Sequence, residues 1–348
     1  MKRVGIVTIQ SINFGNRLQN YALQESIKRL GYDVYSFRRY DENLTLKENI
    51  VRIFKIILQY VVVGKIWNYR CFDRNIKFSK FKIGVDKTPD DLSDSFDYFV
   101  AGSDQIWNPY FKSCGKCNLL SFASYNKRIS YAASFGISTF PEEYRVQYSN
   151  ELKKYKSLSV RETTGSIIVE DLIGKSAKVV LDPTFLLSAD EWKKVQRSTK
   201  YRPKNKYCFV YSLNKRSEEF KRKIEQFSKE YVIVDIMKKN RFGISKRIGP
   251  AEFLYLIDHA DVVLTNSFHA TVFAVIFRKD VLAFDRIDVD MSSRIRTLAT
   301  ILGLNNNFDE YGTFSIYTDG DKDIAEANIK IEIDKSFDFL KKALDANN

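Results

Sequence analysis

Short apolar runs separated by longer, mostly amphipathic stretches recur along this chain, and that alternation restricts the fold more than any other feature. Residues 4–9, 34–37, 98–101, 128–133 and 157–160 form one series of runs; residues 179–181, 207–213, 231–236, 262–264 and 281–284 form a second. Runs this short read as strands, and their near-continuous apolarity fits strands covered on both faces, as in a parallel sheet. The stretches between them carry helix chemistry. Leu18, Tyr21, Ala22 and Leu23 follow a helical pattern before Gly31 offers a stop. Later helices are expected to begin near Ser188, Ser217, Pro250 and Phe268, with another after Pro141 and one running to Gly174.

Strand, helix, strand, repeated in two series, is the rhythm of doubly wound α/β domains. With 348 residues and 44% hydrophobic content, the chain supports two such cores. The sequence therefore predicts two Rossmann-like doubly wound domains, 1–174 and 175–348, in a bilobal, glycosyltransferase-B-like arrangement. An amphipathic helix at 334–344 is a candidate to return to the first domain. A long basic amphipathic stretch, residues 45–81, interrupts the first series.

Composition narrows the function classes. Six Pro and 15 Gly exclude a collagenous or low-complexity chain. The opening MKRVGIVTIQ lacks the apolar core and small-residue cleavage site of a secretory signal, so a cytoplasmic location is expected. Residues 50–63 are greasy but broken by Arg52, Lys55 and Gln59, and fall short of the roughly 20 apolar residues that span a bilayer. That stretch is a candidate for peripheral contact with an anionic membrane, burial against the first domain being its other reading. Cys114 and Cys117 form a CxxC, yet Cys71, Cys208, His259 and His269 are scattered singly, so neither a metal nor a cofactor is expected. The net charge of +13 calls for anionic partners. Without a zinc-finger spacing, an aromatic RNA-binding signature or a long Lys/Arg block, nucleic acid is not the expected one.

Ligands of open α/β sheets lie beyond the carboxyl ends of the strands, so the polar residues just after each apolar run are the ones to inspect. They are residues 13–19, Gly102-Ser103-Asp104-Gln105, Ser134-Phe135-Gly136, Arg161-Glu162, Asp182-Pro183-Thr184 and Asn266-Ser267-Phe268-His269. These segments stand in NFGNRLQNYAL (13–23), GSDQIWN (102–108), SYAASFG (130–136), SVRE (159–162), LDPTFLL (181–187) and TNSFHATVF (265–273). Together, and in this order, they resemble the polysaccharide pyruvyl transferase family, over residues 1 to about 304.

The resemblance implies a glycosyltransferase-B-like fold, phosphoenolpyruvate as donor and, as acceptor, a sugar of a cell-surface or exported polysaccharide, with a lipid-linked oligosaccharide as one form of it. The product would be a pyruvate ketal. Domain 1–174 would hold the acceptor and 175–348 the donor. Such chemistry needs a proton donor for the methylene carbon, cations for carboxylate and phosphate, and an acceptor for the hydroxyl proton. His269, at the opening of a helix, is the expected proton donor or donor-phosphate ligand. Arg161 and Arg294, with Asn266 and Ser267, are the expected anion-binding residues, since guanidinium forks match carboxylate and phosphate. Asp104 is the expected base. Asn16 and Gln19, one helical turn apart, would bind sugar hydroxyls, and Trp107 would stack on a sugar face. Some branches of the family look like Arg-x-His where this chain has Ser267-Phe268-His269, so that arginine is missing. His259 and Asp182 read as structural.

Two other classes fit the same sequence. A nucleotide-sugar-dependent glycosyltransferase would use the helix ends of the second domain for a diphosphate. A non-catalytic glycan-binding or scaffold protein would use only the positive surface.

Overall fold

A computed structural model describes residues 1–40, 65–238, 246–286 and 292–345. The chain divides into two compact units: Met1–Leu46, Arg74–Leu186 and Ile331–Asn348 make unit 1, and Lys47–Asp73 with Leu187–Lys330 make unit 2.

Unit 1 is built on strands β1 (Arg3–Val7), β2 (Asp33–Arg39), β3 (Phe78–Ile83), β4 (Tyr98–Ala101) and β5 (Arg128–Ser130). They lie in the order β3-β2-β1-β4-β5, every neighbouring pair parallel. A short parallel pair, β6 (Ser159–Val160) and β7 (Lys178–Val179), follows, and the bridges Ile129 to Ser157 and Ala133 to Val160 tie it to the β5 side.

The pleat sorts the side chains of β1 and β4 to two faces. Val4, Ile6, Tyr98 and Val100 join Leu23, Ile27, Leu340 and Leu344 in one buried cluster; Val7, Phe99 and Ala101 join Phe37, Trp107 and Phe135 in another. Both faces of the sheet are therefore core, as near-continuous apolar strands require. Gly5 sits where a Cβ would stand 2.5 Å from the Phe37 ring, so that ring occupies the room a side chain would need.

Unit 2 repeats the plan with β8 (Tyr207–Tyr211), β9 (Val232–Asp235), β10 (Val262–Thr265), β11 (Asp280–Ala283) and β12 (Phe314–Ile316) in the order β12-β11-β10-β8-β9. All pairs are parallel except β11 with β12. Cys208, Val210, Val262 and Leu264 pack on Phe220 and Phe284 on one face. On the other, Phe209 and Tyr211 meet Phe253 edge-on, and Phe253 meets Phe273.

Several expectations need correcting. The run 179–181, read as the start of the second series, begins at the last residue of β7, which pairs with β6 inside unit 1. The chain passes from unit 1 to unit 2 at 186/187, where the sequence reading put 174/175; residues 331–348 count with unit 1, in keeping with the terminal helix expected to return there. The last helix spans Asp319–Leu344, beginning well before residue 334. The run 128–133 is continuous strand only to Ser130: Ala132 takes a positive φ of 50°, and Ala133 pairs again only through the isolated bridges to Asp104 and Val160. Within the basic stretch 45–81 stand a helix, Lys65–Phe72, and the strand β3; residues 50–63, the candidate membrane contact, lie outside the described residues. Among the described residues no helix is long and apolar enough to cross a membrane.

Candidate active site

In unit 1 the strand order reverses between β1 and β4, and a doubly wound sheet leaves its crevice at the carboxyl ends of such strands. Asp104 stands there, three residues beyond β4. Its φ of 74° is unusual for a residue with a side chain. The turn is held from several sides: the Asp104 carbonyl accepts from the Ile106 and Ser134 amides (2.7 and 3.0 Å), and its Oδ1 accepts from the Gln105 amide (2.9 Å). Gly136, φ 64°, passes so close to Gln105 that a Cβ would lie 2.1 Å from its Nε2. Asn16, in the first turn of the helix Phe14–Arg29, donates from Nδ2 to Asp104 Oδ2, while its Oδ1 accepts from the Ser11 hydroxyl. The carboxylate is thus oriented on both oxygens and keeps a small exposed surface, 13% of the side chain.

Behind Asp104 lies a buried charge cluster that the sequence did not announce. The Arg161 guanidinium, 3% exposed, is 3.0 Å from Asp182, 3.7 Å from Glu162 and 3.9 Å from Asp104. Burial opposes its charge, but Asp182, Glu162 and Asp104 outweigh burial and hold its pKa above the ordinary value. Further hydrogen bonds satisfy the carboxylates: Ser103 Oγ donates to Asp182 Oδ2 (2.7 Å), Thr184 donates to Asp182 Oδ1 from its amide and hydroxyl (3.1 and 2.7 Å), and Ser134 Oγ donates to Glu162 (2.6 Å). Segments far apart in sequence, SVRE, LDPTFLL, SYAASFG and GSDQIWN, meet at this one cation.

Three expected roles change accordingly. Arg161, expected to grip the donor anion, already faces three carboxylates of the protein, Asp182, Glu162 and Asp104. Gln19 is fully buried; its Nε2 donates to Thr8 Oγ1 (2.7 Å) and the Asn16 carbonyl (3.1 Å), so it braces the helix on β1 rather than meeting a sugar. Trp107 is also fully buried, with ring centroids 5.3 Å from Phe135 and 5.6 Å from Tyr155, and offers no face to a ligand. An aromatic residue in a polar motif reads as a platform until the core behind the motif is seen.

In unit 2 the reversal falls between β8 and β10. Asn266 follows β10 and clamps the end of β8: its Oδ1 accepts from the Leu213 amide (2.7 Å) and its Nδ2 donates to the Leu213 carbonyl (3.0 Å). Ser267 is the N-cap of the helix Phe268–Ile276, its hydroxyl accepting from the Ala270 amide at 3.5 Å. Asn266 and Ser267, expected to bind the donor, are thus occupied in shaping the loop that presents His269.

His269 is the second residue of that helix and 7% exposed, at the end of the sheet where ligands collect. Arg294, 4% exposed, lies in the first turn of the helix Ser292–Leu302. Two cationic residues not singled out from sequence stand beyond β8 and β9. Arg216 bonds Ser212 Oγ and Asp235 (both 2.8 Å), and Lys246 donates to the Asp235 carbonyl, its pKa lowered by burial against the pull of Asp235. They sit in segments without an apolar run, so periodicity gave no signal for them.

The remaining sulfur and imidazole groups have local roles. Cys114 Sγ accepts from Asn118 Nδ2 (3.4 Å), Cys117 Sγ donates to the Lys87 carbonyl (3.5 Å), and among the described residues no cluster of His, Cys, Asp or Glu is arranged to hold a metal ion. His259 caps the helix Pro250–Asp258, its Nδ1 2.9 Å from the Tyr255 carbonyl.

Comparison with solved structures agrees with this architecture. A UDP-GlcNAc 2-epimerase from Neisseria meningitidis, bound to UDP-GlcNAc, superposes with a TM-score of 0.53 at 10% identity, covering 99% of each chain. The enzyme of the same name from Methanocaldococcus jannaschii gives 0.50 at 13% identity, over 96% of this chain and 93% of its own. At these identities the likeness is one of fold: parallel-sheet, Rossmann-like α/β units of the glycosyltransferase-B type, as the alternation of strands and helices predicted. No curated protein sequence matches the chain. The family model described as polysaccharide pyruvyl transferase matches residues 13–288, from the Asn13 cap through Asp104, Arg161 and His269, and the chain belongs to that family.

Proposed function

We propose that this protein transfers a pyruvyl group from phosphoenolpyruvate to a sugar of a cell-surface or exported polysaccharide and closes it as a ketal. The observation that carries the reading is His269, a proton-transfer group held in the first turn of a helix at the strand reversal of unit 2. In this scheme His269 protonates the methylene carbon, giving the central carbon oxocarbenium character, and a sugar hydroxyl attacks it. A second hydroxyl then replaces phosphate, so that two hydroxyl protons leave, one methyl C–H bond forms and inorganic phosphate departs. Arg294 and the positive end of the helix Phe268–Ile276 are the groups assigned to the donor's negative charge. Asp104, oriented by Asn16, is assigned the first hydroxyl proton. The same proposal puts the reaction in the cytoplasm, with a lipid-linked oligosaccharide at the membrane face as one form of the acceptor.

The experiment is phosphate release with phosphoenolpyruvate and a panel of glycan acceptors, with His269→Ala as the control. Release that depends on both acceptor and His269 is expected; full turnover by the variant would remove His269 from the mechanism. A second reading, transfer from a nucleotide sugar, is favoured by the fold neighbour bound to UDP-GlcNAc. Thermal stabilisation by nucleotide diphosphates and not by phosphoenolpyruvate would select it, and stabilisation by neither would leave a glycan-binding protein.

A further inference from the structure

Unit 1 has a second concavity, at the opposite edge of its sheet from Asp104. Tyr125 and Asn126 precede β5, Lys156 and Ser157 precede β6, and Lys178 opens β7; all three strands run parallel, so these residues share the edge formed by the strands' amino ends. Asp338, Phe339 and Lys342, from the helix Asp319–Leu344, close the other side around a cavity of about 540 Å³, a size in the range of small-molecule sites.

The cavity's charge is unbalanced: three lysines, Lys156, Lys178 and Lys342, face one carboxylate, Asp338. Lys178 has no ion pair among the described residues, and Lys342 bonds Asp338 (2.7 Å) in an exposed bridge that a stronger anion can replace. Lys156 donates to the Asp345 carbonyl (2.8 Å) and lies 5.2 Å from the Tyr98 ring, which Lys2 approaches at 5.7 Å. Asp345 offsets Lys156 in part, and the cations still outnumber the carboxylates. The other lining groups are of a different kind. Tyr125 is 60% exposed, a ring amphipathic enough to cover a sugar face. Asn126 accepts from Ser124 Oγ through Oδ1 (2.8 Å), which leaves its NH2 to donate, and Ser157 adds a hydroxyl.

We propose that this cavity is a second binding site, for a saccharide unit bearing a phosphate or carboxylate group. The inference does not depend on the pyruvyl-transfer reading. Its test is calorimetric titration of the full chain at low salt with glucose 6-phosphate and with glucuronate, against glucose and inorganic phosphate. Binding of either anionic sugar supports the site, and which of them binds identifies the anion. Lys178→Glu combined with Lys342→Glu, both exposed, should weaken that binding at least tenfold. Tyr125→Ala should weaken it severalfold without changing the affinity for phosphate, and His269→Ala should leave it unchanged. Failure of the unaltered protein to bind either anionic sugar overturns the proposal. So does undiminished binding by the double lysine variant, or binding lost in His269→Ala alone. Inorganic phosphate binding as tightly as glucose 6-phosphate overturns the saccharide assignment.

Discussion

Replacing Arg161 by Met would keep much of the side-chain volume and remove the guanidinium that faces Asp182, Glu162 and Asp104 at 3.0, 3.7 and 3.9 Å. The three carboxylates would lose their shared guanidinium in a site where the arginine is only 3% exposed. Breaking a buried pair by removing one partner costs about 3–5 kcal/mol. For a unit of this size, about 2–4 °C of melting temperature accompanies each kcal/mol, so a fall of roughly 6 to 20 °C in the unfolding of unit 1 is expected. Trp107 is fully buried in unit 1 and Trp192 in unit 2, so fluorine NMR of fluorotryptophan-labelled protein in urea reads the two transitions separately. The origin of the loss is tested by Asp182→Asn. An asparagine can still serve Ser103 and Thr184, so in the Arg161→Met background it should cost less than alone, or stabilise. Additivity within about 0.5 kcal/mol, or a loss below about 1 kcal/mol for Arg161→Met, would refute the view that these charges act as one unit.

Other consequences are simpler. Ser267→Ala removes the N-cap of the helix carrying His269 and should cost about 1 kcal/mol of unit 2 stability by urea unfolding, with reduced turnover because the helix opening frays. At Glu151, burial raises the carboxyl pKa, but hydrogen bonds from Arg128 and Lys154 outweigh it and hold the group below its ordinary 4.5. A depressed folded pKa contributes stability that is present above the unfolded value and lost as pH falls through the folded one. Glu151→Gln should therefore be less stable than the parent at pH 7, with the gap closing below about pH 4 in acid melts. Burial pushes the Cys114 thiol up to about 11, so in native protein at pH 8 it should react with iodoacetamide far more slowly than a free cysteine, and at the ordinary rate once unfolded.

What the sequence made legible was whatever repeats at a fixed period. Residues 98–101 and 262–264 announce β4 and β10 because strands buried on both faces must be apolar throughout, and Ser188 and Ser217 with Pro250 mark helix starts because orphan amides need partners or must be absent. The strand β3 escaped because FSKFKI alternates on a sheet edge, and its lysines merged into the basic stretch before it. β12 escaped because FSI is too short to show any period. Among the expected site residues, motif position pointed to Asp104, Asn16 and His269, which stand just beyond β4, in the first turn of the helix Phe14–Arg29 and in the first turn of the helix Phe268–Ile276. It could not say that Arg161 had its carboxylates already or that Trp107 faced inward. Those facts depend on which loops meet, and no local pattern records that Asp182 lies beside Arg161 across 20 intervening residues.

The helix Asp319–Leu344 changes its allegiance along its length: residues up to Lys330 count with unit 2, and from Ile331 onward with unit 1. Leu340, Ala343 and Leu344 lie in the same buried cluster as Val4 and Ile6 of the first strand. On the ribosome, then, the unit whose strands are translated earliest cannot close its core until after the whole of the other unit has emerged. Domains otherwise tend to fold in the order of synthesis. Here β1 and β4 must wait with one apolar face uncovered while unit 2 folds, so the interval between translation of Leu186 and of Leu344 is when a nascent chain most needs a chaperone.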